Sequence, residues 1–299
     1  MMSTLFNGTG VAIVTPFDAQ KQIDYAALEN LLNHIIEGGV EFIVAMGTTS
    51  EAATLNETEK RDVLSQVIEV VNNRLPIVLG IGGNNTQQIL ETIGKTDFNN
   101  ISGILSVAPY YNKPNQRGLY EHFSAIAKET PKPVILYNVP GRTCSSISAK
   151  TTLKLANDFE NIMAIKEASG DFNQIMEIIN HKPAHFSVLS GDDALTLPML
   201  SIGAKGVISV AANAFPKQFS NMVRYALKGA YAEAGDLHYS LLEIMEQLFA
   251  DGNPAGVKKA LSVLNIIEEN LRLPLVKVND QVARKLEKLI QKNGSLNLP

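Results

Sequence analysis

Short apolar segments recur along this chain at a nearly constant interval, without alternation between apolar and polar positions. Such runs are typical of strands that are covered on both faces, as in a parallel sheet. Eight of them can be recognised, and helical periodicity occupies most of the stretches between them. They are Val11–Val14, Phe42–Met46, Ile77–Ile81, Ile104–Val107, Val134–Leu136, Ile162–Ile165, Phe186–Leu189 and Gly206–Ile208.

The intervening stretches place apolar residues on one face of an amphipathic helix, as in Tyr25–Gly38. The other predicted helices are Glu57–Val71, Thr86–Ile93, Leu119–Lys128, Ala149–Asn157, Phe172–Ile179 and Ala194–Leu200. Strands that alternate with helices form βαβ units and a parallel sheet. Eight units in about 220 residues predict an α/β fold of the (β/α)8 type, the TIM barrel.

An open doubly wound sheet is the competing fold, and its dinucleotide-binding form needs a glycine fingerprint after a strand. The one candidate, residues 80–85, has Asn85 where the last glycine should stand, so the match fails. After Phe215-Pro216 the apolar runs stop, and residues 218–291 are mostly helical in pattern, with breaks at 251–254 and 273–274. We therefore predict a barrel over residues 1–230 and a C-terminal helical appendage over residues 231–299.

Composition narrows the class of protein. The 299 residues carry a net charge of −4 and no lysine- or arginine-rich run, which argues against nucleic-acid binding. No apolar run approaches the roughly 20 residues of a membrane span, and the first residues do not resemble a signal peptide. The single cysteine, Cys144, excludes an intrachain disulfide and favours a reducing compartment. We expect a cytoplasmic protein that binds neither nucleic acid nor membrane.

Polar and ionisable residues follow the predicted strands at the points where the strands end. In a (β/α)8 barrel the active site lies at this end, so these residues are expected to share one rim. They are Thr15, Gly47–Glu51, Gly82–Asn84, Pro109–Tyr111, Tyr137–Thr143, Lys166–Glu167, Ser190–Asp193 and Ser209.

Lys166 is the most unusual of these residues, because it closes the apolar run Ile162–Ile165 and lysine is seldom buried. A strand end inside a barrel is partly desolvated, which disfavours the ammonium form and favours a nucleophilic amine. The alternative is a side chain that extends past the strand into solvent. The other polar strand ends on the same rim favour the nucleophile.

The neighbouring rim residues each allow a structural and a functional interpretation. Gly47-Thr48-Thr49 is either a capping turn or a nest of N–H groups and hydroxyls that binds a carboxylate. Tyr137 is either a satisfied core tyrosine or a phenol that relays protons beside the amine. Arg142 is either a surface charge or a fork of donors for an anionic substrate. Tyr110 and Tyr111 are either core aromatics or part of the site.

Other chemistries find little support in the sequence. The five histidines show no metal-ligand spacing, and no Gly-x-Ser-x-Gly elbow occurs. Asp192-Asp193 is accompanied by no histidine or further carboxylate, which favours a structural or polar-lining role over a metal site. Cys144 has no histidine nearby in the sequence to activate it, and we interpret it as inert.

Three motifs resemble signatures of the pyruvate-dependent class I aldolases, the dihydrodipicolinate synthase / N-acetylneuraminate lyase family. They are Gly47-Thr48-Thr49-x-Glu51, Tyr137-Asn138-Val139-Pro140-x-Arg142-Thr143 and Ile165-Lys166-Glu167. The resemblance extends over nearly the whole chain. Within the family, the paired threonine and Arg142 are more similar to the synthase branch than to the lyases.

This resemblance implies a class I aldol condensation that needs no metal and no organic cofactor. Lys166 would form an imine with pyruvate, and the resulting enamine would attack aspartate 4-semialdehyde. The amino group of that second substrate would then displace Lys166 and close the ring. Tyr137 would act as general acid and base, and Thr48 would relay protons between Tyr137 and Tyr111.

The resemblance also implies binding residues and an assembly. Thr49 would hold the pyruvate carboxylate, and Arg142 the carboxylate of the second substrate. Gly191 and Ile208 would line the site through backbone groups. Tyr111 would reach into the site of a neighbouring subunit, which implies a homo-oligomer, often a dimer of dimers.

Many members of the synthase branch are inhibited by L-lysine bound at the subunit interface. The matching positions here are Ala52, Ala53, Glu57, Lys60, Asn84, Gln88 and Tyr110. Lysine-sensitive members tend to carry histidine or glutamate at the position of Lys60 and an acid at that of Gln88. A like charge and a neutral amide stand there instead, so we predict weak or absent feedback.

Two alternatives remain open at this point. An N-acetylneuraminate lyase or 2-keto-3-deoxy sugar acid aldolase would need neutral hydrogen-bonding groups where Arg142 stands. A binding barrel that has lost its chemistry would have no need of Lys166, Tyr137 and Thr48 together.

Overall fold

The computed structural model describes residues 5–294 and confirms the predicted barrel. All eight strands are parallel and follow one another in chain order, and β8 closes the barrel by pairing with β1. The strands are β1 Gly8–Ala12, β2 Phe42–Ala45, β3 Ile77–Gly80, β4 Gly103–Val107, β5 Val134–Asn138, β6 Ile162–Glu167, β7 Ser187–Ser190 and β8 Gly206–Ser209. Each predicted apolar run overlaps one of these strands.

The helices follow the predicted segments closely, with one addition. They are α1 Tyr25–Glu37, α2 Glu57–Val71, α3 Thr86–Lys95, α4 Gln116–Glu129, α5 Pro140–Thr143, α6 Ala149–Asp158, α7 Phe172–His181, α8 Thr196–Ser201, α9 Pro216–Leu227, α10 Tyr231–Phe249, α11 Ala255–Val263 and α12 Asp280–Gly294. The single turn α5 was not predicted, since four residues are too short to show helical periodicity.

Six of these helices begin at a side chain that accepts a hydrogen bond from the first helical turn. Asn56 forms a full capping box with Glu59 at the start of α2. Asn85, which broke the glycine fingerprint, caps α3 by accepting from the Gln88 N–H. The other capping residues of this kind are Asp24, Asn115, Ser148 and Asp171.

Alternate residues of each strand face the barrel interior and the helices, which explains why the strand sequences are mostly apolar on both faces. In β2, Phe42 and Val44 belong to the interior cluster, whereas Ile43 and Ala45 pack with the helices. Gly10 leaves room for Phe42, because a Cβ at Gly10 would lie 2.2 Å from the Phe42 ring. The interior is therefore packed solid below the rim.

The C-terminal helices pack on the barrel beside the point where it closes. Helix α9 packs against β1 and α1, and α10 lies along α9, α11 and α12. The predicted boundary at residues 230 and 231 falls between α9 and α10. Among residues 5–294 there is no helix with the length and apolar character needed to cross a bilayer.

Candidate active site

Lys166 and Tyr137 face each other at the carboxyl ends of β5 and β6. The two residues are register partners in the sheet, and Lys166 Nζ lies 4.3 Å from the centroid of the Tyr137 ring. Both side chains are nearly buried, with 5% and 7% of their surface exposed. Within residues 5–294 the Lys166 amine makes no hydrogen bond and no ion pair. The predicted nucleophile and proton-transfer group are thus adjacent, and the amine has no carboxylate partner.

Gly191 provides the space that Lys166 occupies. A Cβ at position 191 would lie 3.1 Å from both Cγ and Cε of Lys166, and 2.7 Å from the Cβ of Ala168. Ile208 belongs to the buried interior cluster beneath the same rim. Both predicted lining residues therefore lie at the site, and Gly191 is there for a steric reason.

The segment Gly47–Glu51 forms a tight turn at the end of β2. Thr48 is exposed, whereas Thr49 and Ser50 are buried. The Ser50 hydroxyl donates to the Gly47 carbonyl at 2.7 Å, and the N–H groups of Thr48 and Thr49 donate no hydrogen bond within residues 5–294. Unused N–H groups at a rim are suited to an anionic group such as a carboxylate.

Tyr110 and Tyr111 lie on the rim, at the end of β4. They expose 43% and 89% of their surface, so the alternative of core aromatics is wrong. Tyr111 has a φ of 69°, a left-handed conformation that is costly for a bulky residue. Within residues 5–294 no hydrogen bond links Tyr111, Thr48 and Tyr137, so one subunit does not assemble the predicted relay.

Arg142 lies on the short helix α5, which continues directly from β5. The segment is fixed by the Thr143 hydroxyl, which donates to the Ser145 carbonyl at 2.7 Å. The Arg142 side chain is exposed and makes no ion pair within residues 5–294. Its guanidinium is therefore available to an anion that approaches the rim.

Next to the facing pair, on the opposite side of the sheet, lies a buried polar network that the sequence did not reveal. Asn138 Nδ2 donates to both carboxylate oxygens of Glu167, at 3.0 and 3.1 Å, and Asn138 Oδ1 accepts from the Ile147 N–H. Ser169 and Gln174 also donate to Glu167. Burial raises the pKa of the Glu167 carboxyl, although these hydrogen bonds act in the opposite direction. The network fixes the residues that follow Tyr137 and Lys166.

A second feature that the sequence did not reveal joins the Gly47–Glu51 turn to the C-terminal helices. Glu51 and Lys258 form a fully buried ion pair, with Oε1 and Nζ 2.5 Å apart. The sequence contained only a weak indication of this ion pair, because Lys258 is one lysine among several in a helical segment. A periodicity that places it on the buried face of α11 was the only available indication.

The Asp192-Asp193 pair has structural contacts, as expected. Asp193 is buried and accepts from the N–H groups of Val210 and Ala211 at 3.1 and 2.7 Å, while Asp192 accepts from the Leu195 N–H. Burial raises the pKa of Asp193 to about 6. In the described part of the chain there is no group of three or more histidine, cysteine or acidic side chains placed to hold a metal ion.

The positions that match a lysine-binding site lie on and beside α2 and α3, close to the exposed Tyr110. Lys60 makes an ion pair with Glu57 at 2.8 Å, both on α2. Gln88 is exposed on α3. The Lys60 charge is therefore partly compensated within this chain, so it would repel a bound L-lysine less than expected. The neutral Gln88 is then the stronger reason to expect weak inhibition by L-lysine.

Comparisons with known proteins agree with this geometry. A model of the dihydrodipicolinate synthetase family matches residues 5–293. A curated relative, the 4-hydroxy-tetrahydrodipicolinate synthase of Flavobacterium psychrophilum, is 50% identical over 282 residues, covering 94% of this chain and 96% of the relative.

Solved structures are similar over nearly their whole length. The dihydrodipicolinate synthase from Aquifex aeolicus superposes with a TM-score of 0.93 at 41% identity, covering 97% of this chain and 98% of that one. A structure described as the first monomeric dihydrodipicolinate synthase variant superposes with a TM-score of 0.94 at 36% identity, covering 98% of both chains. This chain belongs to the dihydrodipicolinate synthetase family.

Proposed function

We propose that this chain condenses pyruvate with L-aspartate 4-semialdehyde to give 4-hydroxy-tetrahydrodipicolinate, a step in the biosynthesis of diaminopimelate and lysine. Its curated relatives carry the name 4-hydroxy-tetrahydrodipicolinate synthase. The observation that carries the proposal is the Lys166 amine, which lies in the barrel mouth against Tyr137 without an ion-pair partner in residues 5–294. A nucleophilic lysine needs this kind of site.

The chemistry follows from these positions. The Lys166 amine attacks the keto carbon of pyruvate and expels water, which gives an imine. Loss of a methyl proton yields an enamine, and its carbon attacks the aldehyde of the second substrate. The amino group of that substrate then attacks the imine carbon, which frees Lys166 and closes the ring. Tyr137 is the group placed to transfer protons beside the imine nitrogen.

The two substrate carboxylates are assigned to different parts of the rim. The N–H groups of Thr48 and Thr49 bind the carboxylate of pyruvate, since they have no other acceptor in residues 5–294. Arg142 binds the carboxylate of aspartate semialdehyde through its fork of donors. A sugar substrate would not use this charge, so the sugar acid aldolases are the less favoured alternative.

The proton relay is proposed to need a second subunit. Tyr111 exposes 89% of its surface and lies at the rim, and an aromatic side chain so exposed is suited to insertion into a neighbour. Entry of the partner's copy of Tyr111 would complete a chain with Thr48 and Tyr137. The proposed assembly is a dimer, or a tetramer built from two dimers, although one related structure is a monomeric variant.

Regulation and location also stay predictions. Weak or absent inhibition by L-lysine is proposed from Gln88, which supplies no charge to attract a cationic effector. Half-maximal inhibition at submillimolar lysine would contradict it. The cytoplasmic location is expected from the single cysteine.

Trapping of the imine tests the proposed chemistry directly. The protein is incubated with pyruvate and borohydride, and its intact mass is measured. We expect one pyruvate-derived adduct per chain in the native sequence and none in Lys166→Ala. An adduct on Lys166→Ala, or sialic acid cleavage without condensation activity, would overturn the assignment.

A further inference from the structure

The C-terminal helical region reaches the candidate site at the turn after β2. Asn253, which precedes α11, donates from Nδ2 to the Thr49 hydroxyl at 3.0 Å in a buried position. Lys258 on α11 pairs with Glu51 two residues further along the same turn. The turn assigned to the pyruvate carboxylate is therefore fastened by residues about 200 positions away in the sequence.

The ion pair fixes the turn because both of its charges are buried and depend on each other and on a few nearby hydrogen bonds. The side chains of Glu51 and Lys258 are both 0% exposed. Glu51 Oε2 accepts from the Arg272 N–H at 3.0 Å, and Lys258 Nζ donates to the Asn270 carbonyl at 2.8 Å. A charge buried this deeply is tolerated only when it is paired and hydrogen-bonded, so any shift of Glu51 is strongly opposed.

The backbone of the turn depends on this support. Glu51 has a φ of 54°, the left-handed conformation, although it is not glycine. Thr15 adds one further contact, since its hydroxyl donates to the Ser50 carbonyl at 2.7 Å. Thr49 is itself held by Asn253, and Thr48 directly precedes it, so the direction of both N–H groups depends on these contacts.

We propose that Asn253 and Lys258 are positioning residues for pyruvate, which hold the Thr48 and Thr49 N–H groups in the geometry that binds its carboxylate. The C-terminal helical region is then part of the substrate-binding apparatus and not only an appendage to the barrel. This inference rests on the proposed function, because it takes pyruvate as the ligand of the turn.

Pyruvate affinity in Asn253→Ala and Lys258→Gln tests the proposal. Loss of the Asn253 hydrogen bond removes one support without leaving a buried charge. We expect the pyruvate concentration that gives half-maximal imine trapping, and the KM for pyruvate, to rise about tenfold. The KM for aspartate semialdehyde and the maximal extent of imine trapping at saturating pyruvate should change less than about threefold, since Arg142 lies on α5 and Lys166 on β6.

Arg224→Gln is the matched control. Arg224 on α9 pairs with Glu41 at 2.9 Å, and Glu41 precedes β2, so this pair fastens a helix to the opposite end of the same strand. It should lower stability without a change in the KM for pyruvate. An unchanged KM in folded Asn253→Ala, or an equal rise in Arg224→Gln, would overturn the inference.

The two proposals fail in different ways. If the native protein gives no pyruvate adduct with borohydride, the proposed function is wrong. If the native protein gives the adduct and Asn253→Ala reaches half-maximal trapping at the same pyruvate concentration, only the positioning role is wrong. Should Lys258→Gln not fold, Asn253→Ala alone still decides the outcome.

Discussion

Among residues 5–294, Lys166 and Lys258 are almost fully buried and lie against an aromatic ring, but Lys258 alone of these two has a counter-ion there. Lys166 Nζ lies 4.3 Å from the Tyr137 ring, and Lys258 Nζ lies 4.2 Å from the Phe17 ring. Lys258 also pairs with Glu51, whereas Lys166 has no carboxylate partner in residues 5–294. The difference separates a lysine that is held in an ion pair from one whose amine is available for the proposed reaction.

The neighbouring carboxylates account for the contrast. Glu51 is directed at Lys258, while Glu167, the residue next to Lys166 in the sequence, points to the other face of the sheet and bonds Asn138. Burial lowers the pKa of Lys258 to about 8, and the charge of Glu51 acts against this shift. An unpaired amine in a buried site is free to react, and a paired one holds two regions together.

Replacement of Lys166 should give the largest effect on activity and the smallest on stability. We expect Lys166→Met to lower kcat/KM by at least about 10⁴-fold, because no other group can form the imine. The free energy of unfolding should stay within about 1 kcal/mol of the native value or rise, since no ion pair is lost. Kinetics and urea denaturation of the same preparation measure both. If Lys166→Met were strongly destabilised, the Lys166 amine would have a stabilising partner that the structure does not show.

Replacement of Lys258, in contrast, should mainly lower the free energy of unfolding. Lys258→Met leaves the Glu51 carboxylate buried without its partner, which typically costs about 3–5 kcal/mol. The double variant Glu51→Gln, Lys258→Met removes both charges and should recover a large part of that loss. Denaturation midpoints of the two variants provide the measurement. If the double variant were no more stable than the single one, the ion pair would not be what holds the turn.

Crowding of Lys166 should give an intermediate effect. In Gly191→Ala the new Cβ lies 3.1 Å from Lys166 Cγ and Cε, so the amine is displaced from its position against Tyr137. We expect kcat to fall about 10- to 100-fold, because reaction rates depend steeply on such alignment. Gly235→Ala is the control: this glycine lies in α10, and a Cβ there would meet nothing within 4 Å outside the backbone of its own helix, so alanine should leave kcat unchanged. Equal kcat in both variants would show that Lys166 tolerates displacement.

The smallest expected effect concerns Glu167. Burial raises its pKa above the ordinary value of 4.5, so the unfolded chain loses this proton at a lower pH than the folded protein does. The stabilisation from Glu167 is therefore complete below the unfolded pKa and is lost as pH rises through the folded one. We expect the stability of the native protein relative to Glu167→Gln to decrease as the pH rises above the ordinary glutamate pKa of 4.5. An increase with pH would mean that the carboxylate is stabilised in its charged form, as a counter-ion of Lys166 would be.

Local sequence signals were enough for the barrel and for much of the candidate site. Apolar runs and helical spacing are properties of neighbouring residues, so β6 and its final Lys166 could be recognised directly. The motifs around Thr48, Tyr137 and Arg142 are equally local. The structure brings these side chains to one rim, as expected, while their roles stay predictions.

Contacts across long sequence separations could not be predicted in this way. Asn138 belongs to the motif around Tyr137, but its hydrogen bond to Glu167 depends on the register of β5 against β6. Lys258 and Asn253 carry no local signal for their bonds to Glu51 and Thr49. Only the packing of α11 against the end of β2 creates those bonds.

The sequence by itself determined the repeating elements, the barrel they form and the residues at its rim. Periodicity and strand ends are properties of residues that are neighbours in the chain. The tertiary structure alone decided which buried lysine has a carboxylate partner. Ion pairing depends on distances of a few ångströms between residues far apart in the chain, and the closed barrel and its C-terminal helices fix those distances.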